Sequence, residues 1–110
     1  MIVICNMHRE KPSELYDVRI DRGHSPLANK FRMESEKDRD KVCDQYDKWL
    51  EGQLLSGYRN KSVVVEILRL QKIYKRYGIL RLFCWCAPLR CHGETVAKYI
   101  VLGEKDETDS

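Results

Sequence analysis

Apolar residues along this 110-residue chain fall into short patches whose spacing changes from one patch to the next. Ile2-Val-Ile-Cys5 is an unbroken run, read as a short strand, and Tyr16-Asp-Val-Arg-Ile20 alternates apolar with charged residues, as a strand with one wet face should. Asn6 to Leu15 between them is a polar connection containing Pro12-Ser13. After Ile20 the stretch Asp21-Arg-Gly-His-Ser-Pro-Leu-Ala-Asn-Lys-Phe31 has no helical period and carries Gly23, Pro26 and Asn29, the composition of a shaped loop. Ser35 then opens a helix, with Glu36, Asp38 and Asp40 favouring the positive end of its dipole. Val42, Tyr46, Trp49, Leu50 and Leu54 form one stripe along it, and it ends near Ser56-Gly57.

A second helix is predicted from Lys61 to Tyr77, with Val63, Ile67, Leu70, Tyr74 and Tyr77 on one face and Gly78 as its stop. The β-branched Val63-Val-Val65 leaves a strand start as the alternative there. Ile79 to Trp85 is apolar nearly throughout, the mark of a strand buried on both faces, which makes Trp85 a core residue, as Trp49 is on its helix. Pro88 and Gly93 punctuate the next loop, and His92 to Leu102 reads as a last helix with Val96, Ala97, Tyr99 and Ile100 inward. The order β-β-α-α-β-α implies a single-domain α/β fold over residues 1–103, a small Rossmann-like sandwich, followed by a disordered acidic tail at 104–110. In open α/β sheets ligands collect at the carboxyl ends of the strands, and two unusual loops leave strands there: 21–31 and 86–92. They meet if those strands run parallel; antiparallel strands would separate them.

Composition narrows the class. At 43% hydrophobic and 34% charged the chain is globular, and no run approaches the ~20 apolar residues of a membrane span, so a cytoplasmic location with no membrane partner is expected. Five cysteines are an odd count, and Cys84-x-Cys86 sits too close along one strand to bridge, which points to reduced thiols rather than a secreted disulfide scaffold. The net charge of +3 hides an asymmetry: residues 104–110 carry four acids and one base, leaving +6 on the rest. A basic body attracts phosphates on a nucleotide, a nucleic acid or an anionic metabolite; the plainer reading is a set of solvated, mixed-charge helix faces.

The densest chemistry lies in Leu82-Phe-Cys-Trp-Cys-Ala-Pro-Leu-Arg-Cys-His-Gly-Glu94. One reading is catalysis, with Cys86 or Cys91 as thiolate and His92 as its partner near the substrate. Backbone amides around Gly93, Glu94 and Thr95 would hold an anion and stabilise a thiolate at Cys91. Arg22 would take a phosphate or carboxylate, and Ser25 and Asn29 a hydroxyl or a base edge, in a loop bent by Gly23 and Pro26. A second reading is zinc, since Cys84, Cys86, Cys91 and His92 lie within nine residues and Cys5-x-x-His8 adds two donors; the single cramped run does not match the paired spacing of structural zinc sites, and no metal or other cofactor is expected. The third is packing: Cys84 and Cys43 as small buried hydrophobes, and His92 bound to backbone at a helix start. His8 and His24 read as surface residues.

The 21–31 loop, the helix carrying Arg39, Tyr46 and Leu50, and the segment Leu82 to Glu94 together resemble the family called domain of unknown function 4326, found in bacteria and phages, across about residues 2–102. That family's loop usually reads Gly-Arg, then Ser-Pro-Leu-Gly-Asn-Pro-Phe, so this chain departs from it at Asp21, Ala28 and Lys30. The Cys-His ending is also similar to that of domain of unknown function 488. The resemblance implies a fold and a site but carries no reaction. Two functional classes follow: an enzyme acting on a nucleotide-like or other anionic small molecule, or a phage accessory protein that sequesters a signal nucleotide or blocks a host protein without catalysis. Nucleic-acid binding through the basic residues Arg69, Lys72, Lys75 and Arg76 is a weaker third.

Overall fold

The computed structural model describes residues 1–55, 61–86 and 89–109, with 103–109 as backbone alone. The predicted helix end at Ser56-Gly57 and the loop proline Pro88 lie outside the described residues. The elements follow in the predicted order: β1 (Ile2–Asn6), β2 (Asp17–Arg19), a 3-10 turn (Glu36–Asp38), α1 (Arg39–Leu55), α2 (Lys61–Tyr77), β3 (Leu80–Cys84) and α3 (His92–Asp109). Ser35 precedes the 3-10 turn in extended conformation and offers its carbonyl, not its hydroxyl, to the Asp38 amide. Gly78 stops α2 as expected, at φ +71°, where its amide closes on the Tyr74 carbonyl. α3 runs on past Leu102, where the sequence reading ends the last helix.

The three strands form one sheet in the order β1-β3-β2, and both pairs are parallel. Leu82 at the centre of β3 pairs with Ile4 on one side and Val18 on the other. Alternation divides the sheet by face. Val18, Ile20, Leu80, Leu82 and Cys84 merge into one buried cluster with Tyr46 and Leu50 of α1, Val63, Ile67 and Leu70 of α2, and Val96 and Ile100 of α3. The opposite face buries Phe83 and Cys5 beneath Met7, which continues β1 by donating its amide N–H to the Cys84 carbonyl.

All three helices therefore share one face, and the connection after β1 covers the other. This differs from the doubly wound plan that a Rossmann-like reading implies, in which helices lie on both faces. The physical reason is the length of chain between β1 and β2: residues 7–16 are too short and too polar for a crossover helix and serve as a lid for Phe83 instead. Arg81, the one charged residue of β3, lies on that face, with Nε and Nη2 on Asp17 and Nη1 on Glu10. Two aromatic positions differ from expectation. Tyr77 is partly exposed at the end of α2, and Trp85 is 43% exposed because the strand ends at Cys84 and the chain turns away before it.

Candidate functional site

Because β2 and β3 are parallel neighbours, the chain leaves both at the same sheet edge, and the 21–31 loop meets the 85–92 segment there. Between them lies a cavity of about 410 Å³, within the size range of small-molecule sites. Its wall includes Arg22, Asn29, Cys86, Cys91 and His92 from the sequence-predicted set. Gly23, Ser25, Pro26 and Gly93 do not line it, and Glu94 faces a separate groove between α1 and α3.

The motif side chains of the first loop bond the loop's own backbone, which leaves the Arg22 charge without a counter-ion. Arg22 donates Nε to the Asn29 carbonyl (2.9 Å) and Nη2 to that of Phe31 (3.2 Å), strapping the loop closed. Ser25 Oγ accepts the Leu27 amide (3.0 Å) and Asn29 Oδ1 the Phe31 amide (2.9 Å), the short-range turns that these side chains favour. Leu27 plugs the core at 0% exposure, and its carbonyl accepts the buried Tyr46 hydroxyl at 2.5 Å. Ser25 and Asn29 thus shape the rim, where the sequence reading gave them ligand hydroxyls or a base edge.

The start of α3 is likewise closed. The Cys91 amide donates to Glu94 Oε2 (3.2 Å) and the Glu94 amide returns to the Cys91 carbonyl (3.2 Å), an arrangement akin to a capping box. A Cβ at Gly93 would meet Ile20 Cδ1 at 3.2 Å and Ile4 Cδ1 and Cγ2 at 3.3 Å, so this glycine lets the helix pack onto the sheet. The Glu94 amide is thus taken, where the sequence reading expects it open to an anion.

Cys91 is buried with its Sγ 3.4 Å from Cys84 Sγ. That contact and burial push its thiol well above the usual range, outweighing the nearby Gly93 amide, the opposite direction from the stabilised thiolate that the sequence reading expects. His92 is buried too, its ring 5.2 Å from that of Tyr46. Its Nε2 lies 2.7 Å from the Ile20 carbonyl, which can only accept, so Nε2 carries the proton and donates. Burial lowers the ring's pKa against the pull of that carbonyl and of Asp21, leaving a neutral imidazole. Among the described residues no hydrogen bond joins His92 to Cys86 or Cys91, and no three His, Cys, Asp or Glu side chains group so as to hold a metal ion. Cys86 is the half-buried thiol of the cluster, and it sits beside the Arg39 guanidinium.

Several residues of the wall escaped the sequence reading. Arg39 and Cys43, one turn apart on α1, both bond the Arg90 carbonyl (2.9 and 3.7 Å) and tie the second loop to the helix. Their spacing at the edge of the apolar stripe was the available signal. Arg39 is also paired with Glu36, and Arg90 with Asp40 and Asp44, so their charges are largely offset. Arg22 bonds carbonyls only and Arg32 has no acidic partner among the described residues; theirs are the uncompensated charges at the rim. Asp21 lies almost fully buried, bound by Arg19 through Nε and Nη2 and by Trp85 Nε1 (2.9 Å). Those bonds, that of Arg19 first, outweigh burial and hold its carboxyl at about 2.

A small parallel α/β protein with a cationic, partly aromatic cavity at the carboxyl edge of its sheet is the class these features define. Residues 3–102 match the family model described as domain of unknown function (DUF4326), and the chain belongs to that family. No curated protein and no solved structure matches it.

Proposed function

We propose that the cavity binds a nucleotide-like or other anionic small molecule, in a cytoplasmic protein whose five cysteines stay reduced. The observation that carries this reading is the convergence of two loops from adjacent parallel strands around a 410 Å³ cavity whose rim holds Arg22 and Arg32 without acidic partners. Such unpaired guanidinium charge attracts phosphate or carboxylate. Binding without catalysis is the better supported form, because Cys91 and His92 are held in buried structural bonds. If the ligand is processed, Cys86 beside Arg39 is the thiol placed to act. Among the described residues no helix is long and apolar enough to cross a membrane.

Isothermal titration of the purified protein with inorganic pyrophosphate tests the anion site directly. Saturable binding that weakens at least fivefold in Arg32→Ala, with thermal stability unchanged, is the expected result. No heat at millimolar pyrophosphate would overturn it. Cys86→Ser leaves that binding intact, and loss of binding in this variant would move the thiol into the recognition itself.

A further inference from the structure

The end of β3 at Cys84 leaves Trp85 half-exposed at the cavity, where a fixed polar bond holds it. Four of the five residues of β3 are buried, yet the indole that follows stays 43% exposed and lines the cavity. A tryptophan gains most from full burial, and one held half-out by a fixed polar bond marks a surface kept for contact. Its Nε1–H is fixed by Asp21, whose carboxylate is in turn fixed by Arg19. Burying that ion pair carries a desolvation cost, and the Arg19–Asp21 contact needs no indole to satisfy it. His8 meets the ring edge-on at 4.7 Å and the Lys11 ammonium lies 5.1 Å from its centroid, so the 7–11 connection steadies the indole as well. Phe31 supplies a second aromatic wall of the same cavity.

Resting on the anion-binding reading, we propose that the ligand is a mononucleotide whose base stacks on Trp85 while its phosphates meet Arg22 and Arg32. Asp21 directly precedes Arg22, so a single loop stem sets the position of both the stacking ring and the cation. Arg19 and Asp21 are positioning residues in this scheme. Trp85 supplies the preference for a ring-bearing anion over a bare one, because stacking is available to every base and to no inorganic phosphate.

The test compares ADP, GDP, CDP and UDP with inorganic pyrophosphate by calorimetry on the wild-type protein, Trp85→Leu and Trp85→Phe. At least one nucleotide should bind ten times more tightly than pyrophosphate. That ratio should fall to near one in Trp85→Leu and be partly restored in Trp85→Phe, while pyrophosphate affinity stays constant across the three. In a Trp49→Phe background the remaining tryptophan emission should be quenched by the nucleotide and not by pyrophosphate. Equal affinity for nucleotide and pyrophosphate in the wild type would overturn the stacking proposal and leave the anion site standing. Binding of neither would overturn both.

Discussion

Replacing Asp21 by asparagine removes one charge from a carboxylate with 8% side-chain exposure while keeping its shape, and the pH dependence of the loss follows from the structure. The carboxyl is held at about 2 against an ordinary 3.8, chiefly by Arg19 and then by the Trp85 indole. Holding the carboxyl at about 2 rather than 3.8 corresponds to about 2 kcal/mol, and solvent reaching the 32%-exposed Arg19 screens this to about 1–2 kcal/mol. Because the folded-state value is the lower one, the stabilisation is whole above pH 4 to 5 and is lost as the pH falls through 3.8 toward 2. Urea unfolding followed by circular dichroism at pH 6, 4, 3 and 2 reads this as a gap between wild type and Asp21→Asn. The gap should be about 1 M in midpoint at pH 6 and close to zero at pH 2. A gap that stays constant across this range would refute the argument, since a carboxylate not held ionised by its neighbours has no reason to lose its advantage on protonation.

Gly93→Ala forces a methyl group to 3.2–3.3 Å from Ile4 and Ile20, and overpacking of that kind costs about 1–2 kcal/mol net of the gain in helix propensity. A lower melting temperature, partly recovered in the double variant with Ile4→Val, is expected, whereas a rise would show that the two isoleucines give way freely. Tyr46→Phe leaves the Leu27 carbonyl unpaired in the core and should cost about 1–2 kcal/mol in denaturant unfolding; no change would mean that this hydroxyl does not anchor the loop. Iodoacetamide labelling of the native protein at pH 7.5, read by peptide mass spectrometry, should modify Cys86 first and leave the buried Cys5, Cys43, Cys84 and Cys91 until unfolding. Early labelling of Cys91 would contradict its raised pKa and its contact with Cys84.

Much of the fold was legible because its signals are local. The bounds of α2 agree at both ends, since a clean helical stripe is stopped by a glycine that adopts positive φ. β3 could be recognised as a doubly buried strand from its unbroken apolar run. The run does not show that pairing stops at Cys84, so the pattern alone puts Trp85 in the core. The meeting of the two loops was legible for a sound reason, the carboxyl ends of two strands, whereas the bonds their side chains make were not. Ser25 and Asn29 have the same hydrogen-bonding groups whether they face a ligand or their own backbone, and only the fold reveals that the backbone takes them. Cys91 was read through its position at a helix start. Its thiol partner, Cys84, lies seven residues earlier on the strand, a contact that depends on the path of the intervening loop.

The loop's departures from the family pattern differ in what each position does. Ala28 contributes its amide to the Ser25 carbonyl, a bond open to any residue but proline, and Lys30 spreads its ammonium over Phe31 and Trp49 at 5.7 and 5.0 Å. Neither change touches the straps from Arg22, Ser25 and Asn29 that hold the loop in shape. Position 21 is different. Where the family pattern has glycine, this chain has the carboxylate that fixes Trp85, and a glycine there offers the indole no acceptor. If the indole sets the preference for a nucleotide, then Asp21→Gly should restore the family's loop stem while lowering the affinity ratio of nucleotide to pyrophosphate about threefold to tenfold. Pyrophosphate binding itself should stay within twofold, because Arg22 and Arg32 remain. Calorimetry on that variant reads both quantities at once. An unchanged ratio would mean that His8 and Lys11 hold the ring unaided and that Asp21 serves only to pair Arg19.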